Sequence, residues 1–250
     1  MKRMIISALA AVICMSSFEA PARKKTFCPG DNLAQIVNHT AADIQYEIGK
    51  ANVEIIGSEE ALKALHIGVS NRSLKITCGG NVNLGNQDVI IKVWAENVGN
   101  FINYGAGDIK ADRISANSVS LQTFGAGDIT VGDIESTGFQ IGVYGAGDIT
   151  VDKSNTTTVK ALIQGAGDVT VRNITAVSVE TTLQGAGDIF MPSINATTLR
   201  VISQGAGDIT VGGEVSTAVL TGQGVGDIHA RSLKAVKTTK IQQGLGDIHN

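Results

Sequence analysis

The stretch YGAGDI at residues 104–109 begins the series of near-identical segments that decides the fold. The peptide Gly-Ala-Gly-Asp returns every 20 residues up to Gly205, and variants of it follow at Gly224 and Gly244. One step, from Asp208 to Asp227, is 19 residues. A fixed period of this length indicates one structural unit stacked on itself, because a single unit cannot bury its own apolar face.

Apolar residues alternate within each unit, as at Ile109 and Ala111 and again at Val119 and Leu121. A period of two is typical of a β-strand, so each unit carries two short strands with too few residues between them for a helix. We therefore predict an all-β fold, a right-handed parallel β-helix (solenoid) with 20-residue coils and an irregular β N-terminal cap. The right hand is the default for parallel crossovers, and propeller blades would need about twice the period.

The position before each glycine turn is aromatic in three coils and glutamine in the next five. In a solenoid, equivalent residues lie about 4.8 Å apart, where rings stack and amides hydrogen-bond along the column. Such a column stabilises a sheet without any ligand, but it is also the candidate binding ladder for a glycan or an envelope or surface protein. Its members are Tyr104, Phe124, Tyr144, Gln164, Gln184 and Gln204, followed by Gln223 and Gln243.

One aspartate recurs in each coil, and neighbouring carboxylates at this spacing would repel by roughly 1 kcal/mol in water. We predict a structural turn column in which backbone N–H groups of the glycine turns neutralise these charges. A row of calcium ions between coils is the alternative; otherwise no cofactor and no metal site is predicted. The column comprises Asp108, Asp128, Asp148, Asp168, Asp188, Asp208, Asp227 and Asp247, with Asp88 of the degenerate copy at residues 85–89 as a further candidate.

Residues 1–22 have the layout of a signal peptide, with Lys2 and Arg3, an apolar run, and Ala20-Pro21-Ala22 before the predicted cleavage site. Residues 23–78 are predicted to form the N-terminal β cap, and residues 79–250 the repeat β-helix. Export leaves Cys28 and Cys78 in an oxidising compartment, where a disulfide between them is expected, with a shared metal as the weaker alternative.

The recurrence of Gly-Ala-Gly-Asp-Ile after an alternating amino-terminal region resembles the head GIN domain family of bacterial autotransporter adhesins, over roughly residues 30–250. The resemblance implies a right-handed β-helix and export to the periplasm or cell surface. It also implies a role in adhesion without an established catalytic site.

The charge and the histidines limit the function classes. Loss of Lys2, Arg3 and Glu19 with the signal changes the formal net charge from −3 to −4, so nucleic acid is not an expected partner. The four histidines have no metal-ligand spacing, although His229 and His249 fall in one column and are expected to stack. We therefore predict a non-enzymatic binding protein, with a polysaccharide lyase or hydrolase that uses the aspartates as the alternative.

The carboxyl-terminal unit departs from the apolar pattern. Thr238 and Lys240 stand where the repeat places inward residues. Either the last coil slips its register around Ile241, or this edge meets a partner, for example in a homo-oligomer.

Overall fold

The chain folds into an all-β solenoid of about eight turns with 20-residue coils, as the repeat predicts. The computed structural model describes residues 23–30, 33–79 and 89–249. The predicted signal peptide and the segment 85–88, with Asp88, lie outside the described residues. Among the described residues, no helix has the length and apolar character needed to span a membrane.

The amino-terminal part combines strands of the solenoid with antiparallel additions. Its elements are β1 (Arg23–Phe27), β2 (Gln35–Asn38), β3 (Asp43–Glu47), β4 (Asn52–Gly57), α1 (Glu59–Ala64), β5 (Leu65–Ser70), β6 (Ser73–Cys78), β7 (Ile90–Trp94) and β8 (Asn100–Asn103).

The repeat part follows as long or paired strands that run once around each coil. Its elements are β9 (Ile109–Ser115), β10 (Ser118–Thr123), β11 (Ile129–Val143), β12 (Ile149–Ile163), β13 (Val169–Thr175), β14 (Ser178–Leu183), β15 (Ile189–Ser203), β16 (Ile209–Gly222), β17 (Ile228–Gln242) and β18 (Ile248–His249).

Neighbouring coils pair in parallel and in register. Ile129 of β11 lies opposite Ile109 of β9 and Ile149 of β12, so residues one repeat apart stack directly. The alternation of the sequence turns these isoleucines inward, where each is at most 1 % exposed. Full burial of such a side chain contributes roughly 1.5–3 kcal/mol, and the column repeats that contribution in each coil.

The 19-residue coil is one residue shorter than the others, and the missing residue lies at one corner. Ile194 of β15 pairs with Gly213 of β16, and the register shifts between Met191 and Ile194. Gly213 has φ +107°, a left-handed value that favours glycine. The following strand regains the 20-residue spacing by Gly212, so one glycine corner absorbs the deletion.

The amino-terminal stretch contributes to the stack itself. β3 lies between β7 and β9, and β2 lies between β6 and β8. Ile44 pairs with both Ile91 and Ile109. The degenerate copy at residues 85–89 predicts Val89 in the column of Ile109, one coil before it. That placement is wrong in both respects, because Ile91 occupies the column and β3 intervenes.

The structure also differs from the predicted disulfide, because Cys28 and Cys78 are not joined. Cys28 follows β1, whose last residue, Phe27, pairs with Val53 near the start of β4. Cys78 pairs with Leu65, which comes after β4 and α1. Strand pairing therefore places Cys28 next to the start of β4 and Cys78 in the β5–β6 hairpin.

The last coil keeps its register. Thr238 lies opposite Ala218 and Lys240 opposite Leu220, so the predicted slip around Ile241 is wrong. Lys240 Nζ donates a hydrogen bond to the carbonyl oxygen of Ile248 at 3.3 Å. This places a polar contact where the preceding coils carry core residues, and a homo-oligomer through this edge stays a prediction.

Candidate functional site: the outward side-chain columns

The aspartate column links each coil to the next. The Oδ1 atom of one aspartate accepts a hydrogen bond from the backbone N–H of the aspartate one coil later, at 2.7–3.1 Å. The predicted donors were N–H groups of the same glycine turn, whereas the observed donors belong to the next coil. The acceptors are Asp43, Asp108, Asp128, Asp148, Asp168, Asp188, Asp208 and Asp227, and Asp247 supplies the last of these donors.

The column presents its outer oxygens to solvent and to three basic side chains. Asp108 Oδ2 lies 3.5 Å from Lys110 Nζ, and Asp227 Oδ2 lies 3.4 Å from His249 Nε2. The backbone N–H of Asp247, assisted by the nearby His249 and His229, lowers the pKa of the Asp227 carboxyl. A general acid needs the opposite shift, because it must hold its proton near neutral pH.

The glycines are required by the close approach of stacked turns. A Cβ at Gly125 would overlap the carbonyl oxygen of Gly105, and one at Gly127 would overlap that of Gly107. The same carbonyl of Gly105 accepts N–H groups from Ala126 and Gly127, at 3.1 and 3.2 Å. A left-handed φ, the usual reason for glycine in a turn, occurs among the described glycines only at Gly30 and Gly213.

The aromatic column is a continuous stack of four rings. His39 stacks on Tyr104 with ring centroids 4.7 Å apart, Tyr104 on Phe124 at 4.8 Å, and Phe124 on Tyr144 at 4.6 Å. The planes of successive rings differ by 4°, 17° and 11°. Sequence reasoning missed His39, although the stretch His39–Ile44 aligns with Tyr104–Ile109 once Asp43 is matched to Asp108.

This stacking decides which parts of the rings a ligand can reach. Tyr104, Phe124 and Tyr144 are 46 %, 39 % and 37 % exposed. Both faces of Tyr104 and Phe124 lie against neighbouring rings, so solvent meets mainly their edges. Tyr144 differs, because its neighbour in the next coil is Gln164.

The glutamine column is a hydrogen-bonded amide ladder. Gln164 Nε2 donates to Gln184 Oε1 at 2.7 Å, and the pattern continues through Gln204, Gln223 and Gln243 at 2.8–3.0 Å. Each internal amide therefore uses one N–H donor and one oxygen lone pair for hydrogen bonds within the column. One lone pair and one N–H of each internal amide are not used by the ladder.

A shallow groove of about 380 Å³ opens beside the last aromatic ring. Its wall is Tyr144, whose ring lies over Gly142, so that a Cβ there would come within 2.7 Å of Tyr144 Cε2. Sequence reasoning missed this groove, because a single glycine in an outward column gives no repeat signal. The other lining residues are Gln122, Gln140, Ile141, Lys160, Ala161, Leu162, Glu180 and Thr182.

The histidines of the last two coils stack as expected, with His229 and His249 centroids 5.3 Å apart and planes 8° apart. His229 Nε2 lies 3.7 Å from Asp208 Oδ2. Over residues 23–30, 33–79 and 89–249, no cluster of three or more histidine, cysteine, aspartate or glutamate side chains has an arrangement that would hold a metal ion.

Comparison with known proteins gives one family and several similar folds. The family model described as "Putative auto-transporter adhesin, head GIN domain" matches residues 32–191 and 173–249. No protein of curated function matches the chain.

The similar solved structures share the fold at low sequence identity. A putative adhesin from Bacteroides fragilis NCTC 9343 is 19 % identical over 93 % of this chain and 98 % of its own, with a TM-score of 0.66. A putative adhesin from Parabacteroides distasonis ATCC 8503 is 15 % identical over 92 % and 98 %, with a TM-score of 0.74. A structure described as a putative lipid binding protein from the same organism is 16 % identical over 92 % and 97 %, with a TM-score of 0.68.

Proposed function

Because the chain belongs to the head GIN domain family of putative auto-transporter adhesins, we propose that it is an exported, non-enzymatic binding protein of the bacterial cell envelope. Its ligand is a glycan or a surface protein, and it binds along the outward columns of the solenoid. The signal-like residues 1–22 support export to the periplasm or the cell surface.

The observation that carries the non-enzymatic proposal is the uniform use of the aspartates. From Asp43 to Asp227, each described member of the column accepts the backbone N–H of the next coil through the same oxygen. Glycoside hydrolysis needs two carboxyl groups in different environments, one of which holds its proton. In this column each described carboxylate accepts the same kind of hydrogen bond, and the pKa of Asp227 is lowered, so the column contains no such pair.

The same geometry supports a structural role for the aspartates without calcium. One oxygen of each carboxylate is already engaged by a backbone donor, whereas calcium sites gather about six to eight oxygen ligands. We therefore expect binding and thermal stability to be unchanged by a chelator.

The proposal is tested by locating the native protein and then measuring its binding to cells. Fractionation with antibody detection should find the chain in the periplasm or at the cell surface. Purified, fluorescently labelled protein should then bind intact bacterial cells or isolated envelopes, with and without EDTA. Cytoplasmic retention, or no binding to cells or envelopes, would overturn the proposal. Loss of binding in EDTA would instead assign the aspartates a metal.

A further inference from the structure

We propose that the groove beside Tyr144 is a sugar-binding subsite that stacks one pyranose ring of a glycan against the second face of the Tyr144 ring. The inference rests on the proposed binding function and gives it a ligand class and a place. The groove lies where the aromatic column ends and the glutamine column begins.

Phe124 covers one face of Tyr144 at 4.6 Å, but the next residue of the column is Gln164, whose amide is directed to Gln184. Tyr144 is therefore the last ring of this stack, and its second face is not paired with another ring of the column. The C–H groups of a pyranose are weakly positive, and an aromatic face is weakly negative, so the two attract.

The outward column that runs through the groove reads Gln122, Gly142, Leu162 and Thr182, and Gly142 leaves a gap in it. The Tyr144 ring lies across this gap and lines the groove together with the half-exposed Leu162. The volume of about 380 Å³ falls at the lower end of the range of small-ligand sites.

Gln122 and Gln140 bring amides to the groove, and Lys160 and Glu180 bring a charged donor and acceptor. Lys160 Nζ lies 3.8 Å from Glu180 Oε2, and Arg200 Nε lies 3.6 Å from Glu180 Oε1. Glu180 is therefore held between two cations at the rim of the groove.

This mixture of groups matches the chemistry of a sugar. Each hydroxyl of a pyranose both donates and accepts, so a ring needs amides or paired charges at its edge and an apolar surface under its face. A purely apolar ligand would leave the amide and ionic groups of Gln122, Gln140, Lys160 and Glu180 without use, whereas a sugar engages both parts.

The experiment compares two disruptive variants with two matched controls in the full chain. Tyr144→Ala removes the wall, and Gly142→Ala places a methyl group against the ring and displaces it. Phe190→Ala removes an exposed aromatic ring that lies outside the aromatic and glutamine columns. Gly138→Ala adds a methyl group to the same strand, 3.6 Å from Thr158 Oγ1, where it has ordinary contact distance.

The probes are cellohexaose, laminarihexaose, chitohexaose and hexagalacturonate, measured by saturation-transfer NMR and calorimetry on proteins with a cooperative thermal transition. We expect at least one probe to bind the unaltered chain, about tenfold weaker binding in both disruptive variants, and binding within about twofold in both controls. Binding that does not weaken in Gly142→Ala and Tyr144→Ala would overturn this site but leave the proposed function. No binding of any probe would overturn the sugar assignment. The cell-binding measurement tests the proposed function separately.

Discussion

The side chain of Asp43 accepts a hydrogen bond from the backbone N–H of Asp108 at 2.9 Å, although 65 residues separate the two. The same link joins every later pair of coils, so residues 39–44 form a turn of the same column. The intervening residues place β4 to β7 beside this first turn without interrupting the column. The aspartate is thus a connector between successive coils.

Loss of one connector should weaken the solenoid. Asp148 Oδ1 accepts the N–H of Asp168 at 2.8 Å, so Asp148→Ala should lower the free energy of unfolding by about 1–2 kcal/mol, as expected for a charge-assisted bond at the surface. Asp148→Asn keeps an acceptor oxygen and removes repulsion, so it should cost about half as much or less. Urea denaturation measures both.

The matched control is Asp152→Ala in the same coil. Asp152 pairs with Arg172 at the surface, where such pairs contribute less than about 1 kcal/mol. Equal losses for Asp148→Ala and Asp152→Ala would contradict the connector role.

The repeat was enough to predict the solenoid, its parallel register and its columns, because each coil restates the same inward and outward positions. It was not enough to find the first turn, which reads Thr40-Ala41-Ala42 in place of Gly-Ala-Gly. Glycine is needed where a Cβ would meet the turn beneath, as at Gly105 above Thr40. The described residues place no turn of this kind on the other side of Thr40, which instead donates through Oγ1 to Asn38.

The candidate site was likewise only partly predictable from the sequence. The columns containing Tyr144 and Gln164 follow from the sequence, because they repeat. The groove depends on the conformation of the Tyr144 ring over Gly142. A single glycine that departs from the repeat pattern does not predict that conformation. Val89 was misplaced for a related reason, since alternation alone fits either of two registers that differ by two residues.

Glycine in the turns should be replaceable only at a large cost. A Cβ at Gly147 would overlap the backbone carbonyl of Gly127, and backbone atoms of a packed turn cannot move without disturbing the neighbouring coil. Gly147→Ala should therefore lower stability by about 3 kcal/mol or more, at the upper end of overpacking costs. Gly138→Ala should be neutral or stabilising by up to about 1 kcal/mol. Similar losses from both substitutions in urea denaturation would refute the close-approach explanation.

The glutamine ladder should respond to loss of a single donor. Gln184 accepts from Gln164 at 2.7 Å and donates to Gln204 at 3.0 Å. Gln184→Glu keeps the acceptor, but as a carboxylate it faces the Oε1 of Gln204 without a proton. It should lose about 1–2 kcal/mol at pH 7.

Acidification distinguishes this cause from a simple packing defect. A protonated Glu at this position regains the donor, so the deficit of Gln184→Glu relative to the unaltered chain should shrink as the pH falls through the carboxyl pKa. Gln184→Leu has no proton to gain, so its deficit should stay constant over the same range. Parallel pH profiles for the two variants would show that the donor is not the cause.

His39 should make the amino-terminal end of the solenoid sensitive to pH. Desolvation by burial, with the nearby charge of Lys75 as the smaller cause, lowers the pKa of His39 below its usual value. The unfolded chain therefore binds a proton at a higher pH than the folded chain, and stability falls as the pH drops from about 7 through the folded pKa of His39. His39→Phe keeps an aromatic ring that can stack on Tyr104 but has no titrating group, so it should flatten this part of the profile of melting temperature against pH. Lys75→Met removes only the smaller cause and should leave most of the slope. An unchanged slope in His39→Phe would assign the pH dependence to other groups.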